Sequence, residues 1–135
     1  MKKLFILLLF PFVIKAQTVS PAKTDSVTKK ATVGFKSKDE ARQLIDNIRE
    51  RILKGEDFGA LAAQFSEDPG SAKKGGPLSP CKRGQFVPEF ETVAFSSPIG
   101  VISDVFETQY GFHFLQVLSR EGDAVVARHI LVGFK

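Results

Sequence analysis

Residues 55–76 read GEDFGALAAQFSEDPGSAKKGG. Phe58, Leu61, Ala62 and Phe65 recur at three- and four-residue spacing behind Asp57, so the stretch begins as a short amphipathic helix with an acidic N-cap. It then dissolves into Gly, Pro, Ser and Lys, and this composition continues as far as Pro88. A structureless connection of that size inside a compact domain is usually a functional loop, which makes Ser66 to Pro88 the first place to look for a site.

The flanks are more regular. Ser37 and Glu40 form a capping box, and Ala41, Leu44, Ile45, Ile48 and Ile52 then fall on one helical face until Gly55 stops the helix. Pro88 suits a first helical position, with Phe90, Val93, Ala94 and Phe95 behind it. Ala31 to Phe35 reads as a short strand. From Val101 onward β-branched and aromatic residues dominate, with turn chemistry at Ser97 to Gly100, Gln109 to Gly111 and Ser119 to Asp123. Helices in the middle and strands at the ends, with no βαβ alternation, predict an α+β domain with helices packed on an antiparallel sheet.

At the N-terminus, Met1-Lys2-Lys3 precedes an apolar run from Leu4 to Ile14, and Ala16 offers a cleavage point. The run is about half of the ~20 residues that a membrane-spanning helix needs, so residues 1–16 read as a signal peptide, with no stable membrane insertion after cleavage. Residues 17–30 have almost nothing to bury and read as a disordered lead-in; residues 31–135 form the domain. Three of the 19 basic residues and none of the 15 acidic ones lie in the signal peptide, leaving 16 against 15. That balance provides no electrostatic footprint for nucleic acid. The lone Cys81 cannot form an internal disulfide, so packing alone holds the domain, with 13 Phe supplying much of it.

Three segments, GEDFGALAAQFSEDPGSAKKGG, KRGQFVPEFETVAF and YGFHFLQVLSR, arrive in the order and spacing of the parvulin peptidyl-prolyl isomerases, a family that the chain resembles from about Ser37 to Arg120. The resemblance implies a four-stranded antiparallel sheet wrapped by three to four short helices. It also implies isomerisation of X-Pro bonds without cofactor or metal. That reaction rotates a tertiary amide over a barrier of ~18–20 kcal/mol and breaks no bond, so a dry ring pocket and polar groups favouring the twisted amide suffice.

Residue by residue, the resemblance implies that Leu78, Phe86 and Phe90 form the proline pocket. Asp68 falls near the twisting carbonyl, His113 is one of two central histidines, and Thr108 fixes its ring. Each has a plainer reading: core packing for the three apolar residues, turn formation ahead of Pro69-Gly70 for Asp68, a strand position for Thr108. Cys81 with His113 would suit a hydrolase, although a small half-buried apolar residue is the simpler account of Cys81. Lys73, Lys74, Lys82 and Arg83 resemble a phosphate-reading patch, or simply a solvated basic surface.

Two departures from the family stand out. The usual Gly-Gly-Asp-Leu-Gly turn is Gly75-Gly76-Pro77-Leu78-Ser79, and the first-strand histidine is replaced by Lys30 in KKATVGFK. That histidine reappears as His129 in ARHILVGFK, residues 127–135, whose last four residues repeat Val33 to Lys36. The C-terminal strand is therefore expected to replace the usual first strand in its own chain; a swapped strand and the vestige of a second domain are the alternatives. A three-residue loop Arg120-Glu121-Gly122 would set antiparallel partners whose numbers sum to 242. It would put His113 opposite His129, Leu115 opposite Ala127, Val117 opposite Val125 and Phe112 opposite Ile130. The function expected is isomerisation of X-Pro bonds in unfolded or extended periplasmic polypeptides, outer-membrane protein precursors among them. The alternative is a non-catalytic chaperone or peptide-binding module of the same fold.

Overall fold

The computed structural model describes residues 36–135; the signal peptide, the lead-in, Lys30 and the strand expected at Ala31 to Phe35 lie outside them. Helix α1, Lys38–Leu53, starts at the expected capping box, with the Ser37 hydroxyl accepting from the Glu40 amide and the Glu40 carboxylate accepting from the Ser37 amide. Asp57 caps α2, Phe58–Phe65, and Pro88 is the first residue of α3, Pro88–Ser96. Between α2 and α3 the long loop contains a single 3₁₀ turn, Ala72–Lys74.

The strands are β1, Phe106–Thr108, β2, Gly111–Glu121, and β3, Ala124–Val132, joined antiparallel in the order β1-β2-β3. The sheet therefore has three strands among the described residues, not the four expected. The outer edge of β3 is occupied by isolated bridges from Pro77 and Cys81, and β2 beyond β1 is flanked by bridges from Ile99 and Ile102. Pro77 has no N–H and Pro80 follows closely, so this loop cannot sustain a regular ladder.

The β2–β3 register also differs from expectation. Partners over the site sum to 244, with His113 opposite Leu131, Leu115 opposite His129, Val117 opposite Ala127 and Phe112 opposite Val132. The reason lies in the turn. Glu121 pairs with Ala124, leaving only Gly122 and Asp123 in the loop. Gly122 has φ 61 and no non-glycine residue among the described residues has positive φ, which is the II′ pattern with Gly at the first central position. The bulge expected inside the turn lies at Leu118 instead, where Val117 pairs with Ala127 but Ser119 with Val126. The tight turn alone sets partners that sum to 245, an odd shift from the expected 242 that would reverse the faces; the bulge brings the sum to 244 and restores the parity. Both histidines therefore share a face as expected, but diagonally and not directly opposed.

Each face of the hairpin has its own core. Phe112, Phe114, Ile130 and Val132 pack with Ala41, Ile45 and Ile48 of α1 and Phe58, Leu61 and Ala62 of α2. Leu115, Val117, Val125 and Ala127 pack with Phe90 and Ala94 of α3 on the other face.

Candidate active site

The long loop is tied along β3 by backbone hydrogen bonds. The His129 amide donates to the Gly76 carbonyl at 2.9 Å, Leu78 to Ala127 at 3.0 Å, and Cys81 and Val125 exchange a pair at 2.8 and 2.9 Å. Gly76 has φ 91, and a Cβ there would sit 2.5 Å from the His129 carbonyl oxygen, so only glycine lets the loop approach β3 so closely. This contact holds Asp68, three residues after the end of α2, against the histidine face of the sheet.

Four polar residues then form one continuous chain. Asp68 Oδ2 is 2.7 Å from His129 Nε2, His129 Nδ1 is 3.4 Å from His113 Nδ1, and His113 Nε2 is 2.7 Å from the Thr108 hydroxyl. Both imidazoles are buried, at 4% and 5% exposure for His113 and His129. Burial pushes the His113 pKa down to about 4, helped by His129 and opposed by Asp68. Burial likewise outweighs the hydrogen bond and charge of Asp68 and lowers that of His129. Burial alone would raise Asp68, but hydrogen bonds from Ser71, His129 and the Gly70 amide hold it below the usual range.

Two neutral imidazoles beside one carboxylate fix the direction of every proton. Ionised Asp68 can only accept, so His129 carries its proton on Nε2 and leaves Nδ1 bare; His113 Nδ1–H donates to it, and the Thr108 hydroxyl donates to His113 Nε2. The Tyr110 amide donates to Thr108 Oγ1 at 3.2 Å, and the Ser71 hydroxyl to Asp68 Oδ2 at 2.5 Å. No buried side-chain polar atom among the described residues is left without a partner. The chain is thus a pre-oriented polar wall with its histidines internally satisfied. The 3.4 Å link between the imidazoles is its weakest joint.

Beside this wall, Phe86 stacks on Phe90 with ring centroids 5.3 Å apart, and Phe90 meets both imidazoles edge-on, at 6.1 Å to His113 and 5.5 Å to His129. A cavity of about 800 Å³ opens here, lined by Leu78, Phe86 and Phe90 and by Asp68, His113 and His129. The structure therefore brings six of the seven expected residues to one cavity, and Thr108 stands behind it on His113. Cys81 is elsewhere. Its buried thiol faces the Lys82 carbonyl, burial and then Glu91 raise its pKa, and it does not line the cavity with His113. Among the described residues no group of three or more His, Cys, Asp or Glu is arranged to hold a metal ion.

Ser71 and Phe106 were not foreseen. Ser71 is 1% exposed and three residues beyond Asp68, a spacing that turn chemistry could have suggested. Phe106 stacks on the His113 ring at 5.3 Å and 11° from β1, on the same side as Thr108, so strand alternation carried a signal for it.

The sequence profile of the PPIC-type PPIASE domain matches residues 13–121. The chain belongs to this family. Across 86 residues it is 48% identical to Chaperone SurA of Pseudomonas syringae pv. syringae (strain B728a), covering 64% of this chain and 20% of that protein. SurA of Pseudomonas aeruginosa is likewise 48% identical over 86 residues, 64% of this chain and 21% of that one. The chain thus spans about a fifth of the length of these curated relatives. Among solved structures, the peptidylprolyl isomerase PrsA of Bacillus cereus aligns with TM-score 0.57 and 39% identity over 58% of this chain and 31% of that one. PrsA of Bacillus anthracis aligns with TM-score 0.50 and 30% identity over 75% and 39%. The PPIC-type match ends at residue 121, before β3 and His129 begin.

Proposed function

We propose that this PPIC-type domain isomerises X-Pro bonds in extended segments of exported polypeptides, outer-membrane protein precursors among them, in the periplasm. Leu78, Phe86 and Phe90 take the pyrrolidine ring, and Asp68, His129, His113 and Thr108 provide the polar wall that favours the twisted amide. The observation that carries this reading is the single cavity in which the apolar residues and the internally satisfied Asp68–His129–His113–Thr108 chain meet. Amide rotation needs no proton transfer, and this chain holds its protons in place. Loss of resonance in the twisted amide makes its nitrogen a better acceptor, and a dry apolar pocket keeps water from competing for it.

In this reading β3 occupies the slot of the family's first strand. The Lys135 amide donates to the Lys36 carbonyl at 3.1 Å, so β3 ends where α1 begins, as a strand leading directly into that helix would. Export rests on the Met1 to Ala16 pattern and on the likeness to SurA. A protease-coupled or NMR-exchange assay on short X-Pro peptides tests the activity: acceleration that is lost in Phe90→Ala supports it, and binding without acceleration would leave a peptide-binding chaperone module. The relatives named Chaperone SurA and the Pro77-Leu78-Ser79 departure at the pocket favour that second reading.

A further inference from the structure

A second cavity, of about 400 Å³, opens at the turn end of the β2–β3 hairpin, on the face that carries the histidines at its other end. Its walls include Lys82, Arg83, Phe95, Arg120, Asp123 and Val125. Arg120 is there because of the Leu118 bulge. Alternation from Val117 would put Ser119 on this face, but the extra residue sets Arg120 opposite Val125. Its guanidinium is anchored by the carbonyls of Phe95 at 3.3 Å and Ser97 at 2.8 Å, at the C-terminal end of α3.

Arg83 is also oriented, by a different device. Its guanidinium lies 4.4 Å from the centroid of the Phe95 ring, and no oxygen among the described residues accepts a hydrogen bond from it. A stacked guanidinium presents its donor edge as a rigid fork that suits a carboxylate. Two carboxylates lie near. Asp123 is paired with Lys82 at 3.5 Å on the exposed rim, where solvent weakens the pair. Glu91 feels the charge of Arg83, but its carboxylate is committed to the amides of Phe86, Gly84 and Gln85. Three cations therefore share a cavity with one loosely held anion, and of the three only Arg120 is held by hydrogen bonds to the backbone.

We propose that this cavity is a carboxylate-binding site that takes an acidic residue at least four positions from the proline seated in the first cavity. β3 sets a lower bound on the spacing. Val125 lines the second cavity and His129 the first, four residues or about 13 Å apart along the strand. Between them α3 covers this face of β3, so a peptide that reaches both cavities passes outside it and needs at least four extended residues. On the loop side, Lys82 and Arg83 line one cavity and Gln85 to Val87, two residues further along the chain, line the other. Asp123 in the wall makes a monoanion a better fit than a dianionic phosphate. The spacing rests on the isomerase reading of the first cavity; the carboxylate site itself does not.

The experiment uses ¹⁵N-labelled protein and C-terminally amidated peptides with one Pro and a Glu four to seven residues to either side, their Gln counterparts, and a peptide whose sole carboxylate is its C-terminus. One Glu peptide is expected to bind about fivefold tighter than its Gln counterpart and to shift the amides of Ala124 and Val125. In Lys82→Gln/Arg83→Gln the two should bind equally, with the affinity for the Gln peptide unchanged. Equal binding of Glu and Gln peptides by the unsubstituted protein, or a preference that survives the double substitution, overturns the proposal. Tighter binding of the C-terminal carboxylate alone would overturn the internal acidic residue in favour of a chain end. A Glu peptide that shifts Ala124 and Val125 but leaves His113 unmoved would remove the isomerase reading and keep the carboxylate site.

Discussion

The two faces of the β2–β3 hairpin are built from alternate residues of the same strands, and they do different work. Phe112, Phe114, Ile130 and Val132 meet α1 and α2 in a sealed aliphatic and aromatic layer in which Phe114 sits edge-on to Phe58 at 5.8 Å. The opposite face begins as an equally apolar layer under α3, then gives way to His113 and His129 and opens into the cavity. One face supplies the stability that lets the other keep two buried imidazoles and a partly open wall. The sharpest way to break the arrangement is to remove β3, which contributes to both faces at once. A chain ending at Gly122 loses Val125, Ala127, Ile130 and Val132 from the two cores and His129 from the polar chain. It is expected to be unfolded by circular dichroism and inactive on X-Pro peptides; a folded, active truncation would refute the assignment of His129 and of the strand.

Single substitutions separate the faces. Phe114→Ala opens a cavity in the sealed layer and should cost ~3–5 kcal/mol, read as a fall in the urea midpoint without a change in slope. Phe90→Ala removes a ring that already borders the first cavity on one side, so its stability loss should be smaller while turnover collapses. Equal stability losses with normal turnover in Phe90→Ala would place Phe90 in the core alone.

Much of this division was legible in the sequence, because local chemistry decided it. The Ser37 and Glu40 pair, the Ala41–Ile45–Ile48 stripe, the Asp57 cap and Pro88 each act within one or two turns, and no distant contact overrules them. The shared face of His113 and His129 was legible for the same reason, since alternation needs only parity. The register was not. It depends on whether the extra residue sits in the turn or at Leu118, two solutions with the same parity, and only packing across the completed sheet selects between them. The loop beside β3, where the described residues form no fourth ladder, is a similar case: Pro77 and Pro80 announce a poor strand, but that Pro77 and Cys81 would still bridge to β3 follows from the close approach at Gly76, which is a property of the folded loop.

Acidity provides a finer test of the histidine face. The unfolded chain takes up a proton on His113 near pH 6.5, whereas the folded chain resists it until about pH 4, and His129 is displaced in the same direction. Between those values the unfolded state binds more protons, so stability is fully present above pH 6.5 and declines as the pH falls towards 4. His113 alone would account for at most about 3 kcal/mol of that decline. Urea unfolding across this window should show the slope, and His113→Asn should flatten it; a flat profile in the unsubstituted protein would mean that the imidazoles are not held neutral by burial.

The smallest effect is expected from what looks like the harshest change, deletion of Leu118 from the middle of β2. The residue is the bulge itself. With it removed, Val117 still pairs with Ala127, and Ser119, Arg120 and Glu121 still pair with Val126, Val125 and Ala124, now in an unbroken ladder. Arg120 stays on the α3 face and both histidines stay where they are. Leu118 is 43% exposed, so little burial is lost, and the change should remain within about 1 kcal/mol, set by the altered local twist. Deletion of Gln116, by contrast, either shifts Leu115 and His113 by one position against β3, driving an imidazole towards the sealed layer, or absorbs the bulge at the expense of turning Val117 out of the α3 core and Leu118 into it. Thermal unfolding of the two deletion variants checks this directly. If losing Leu118 were as damaging as losing Gln116, the faces would be set by something other than the bulge, and the parity argument that places both histidines and Arg120 on one side would fail.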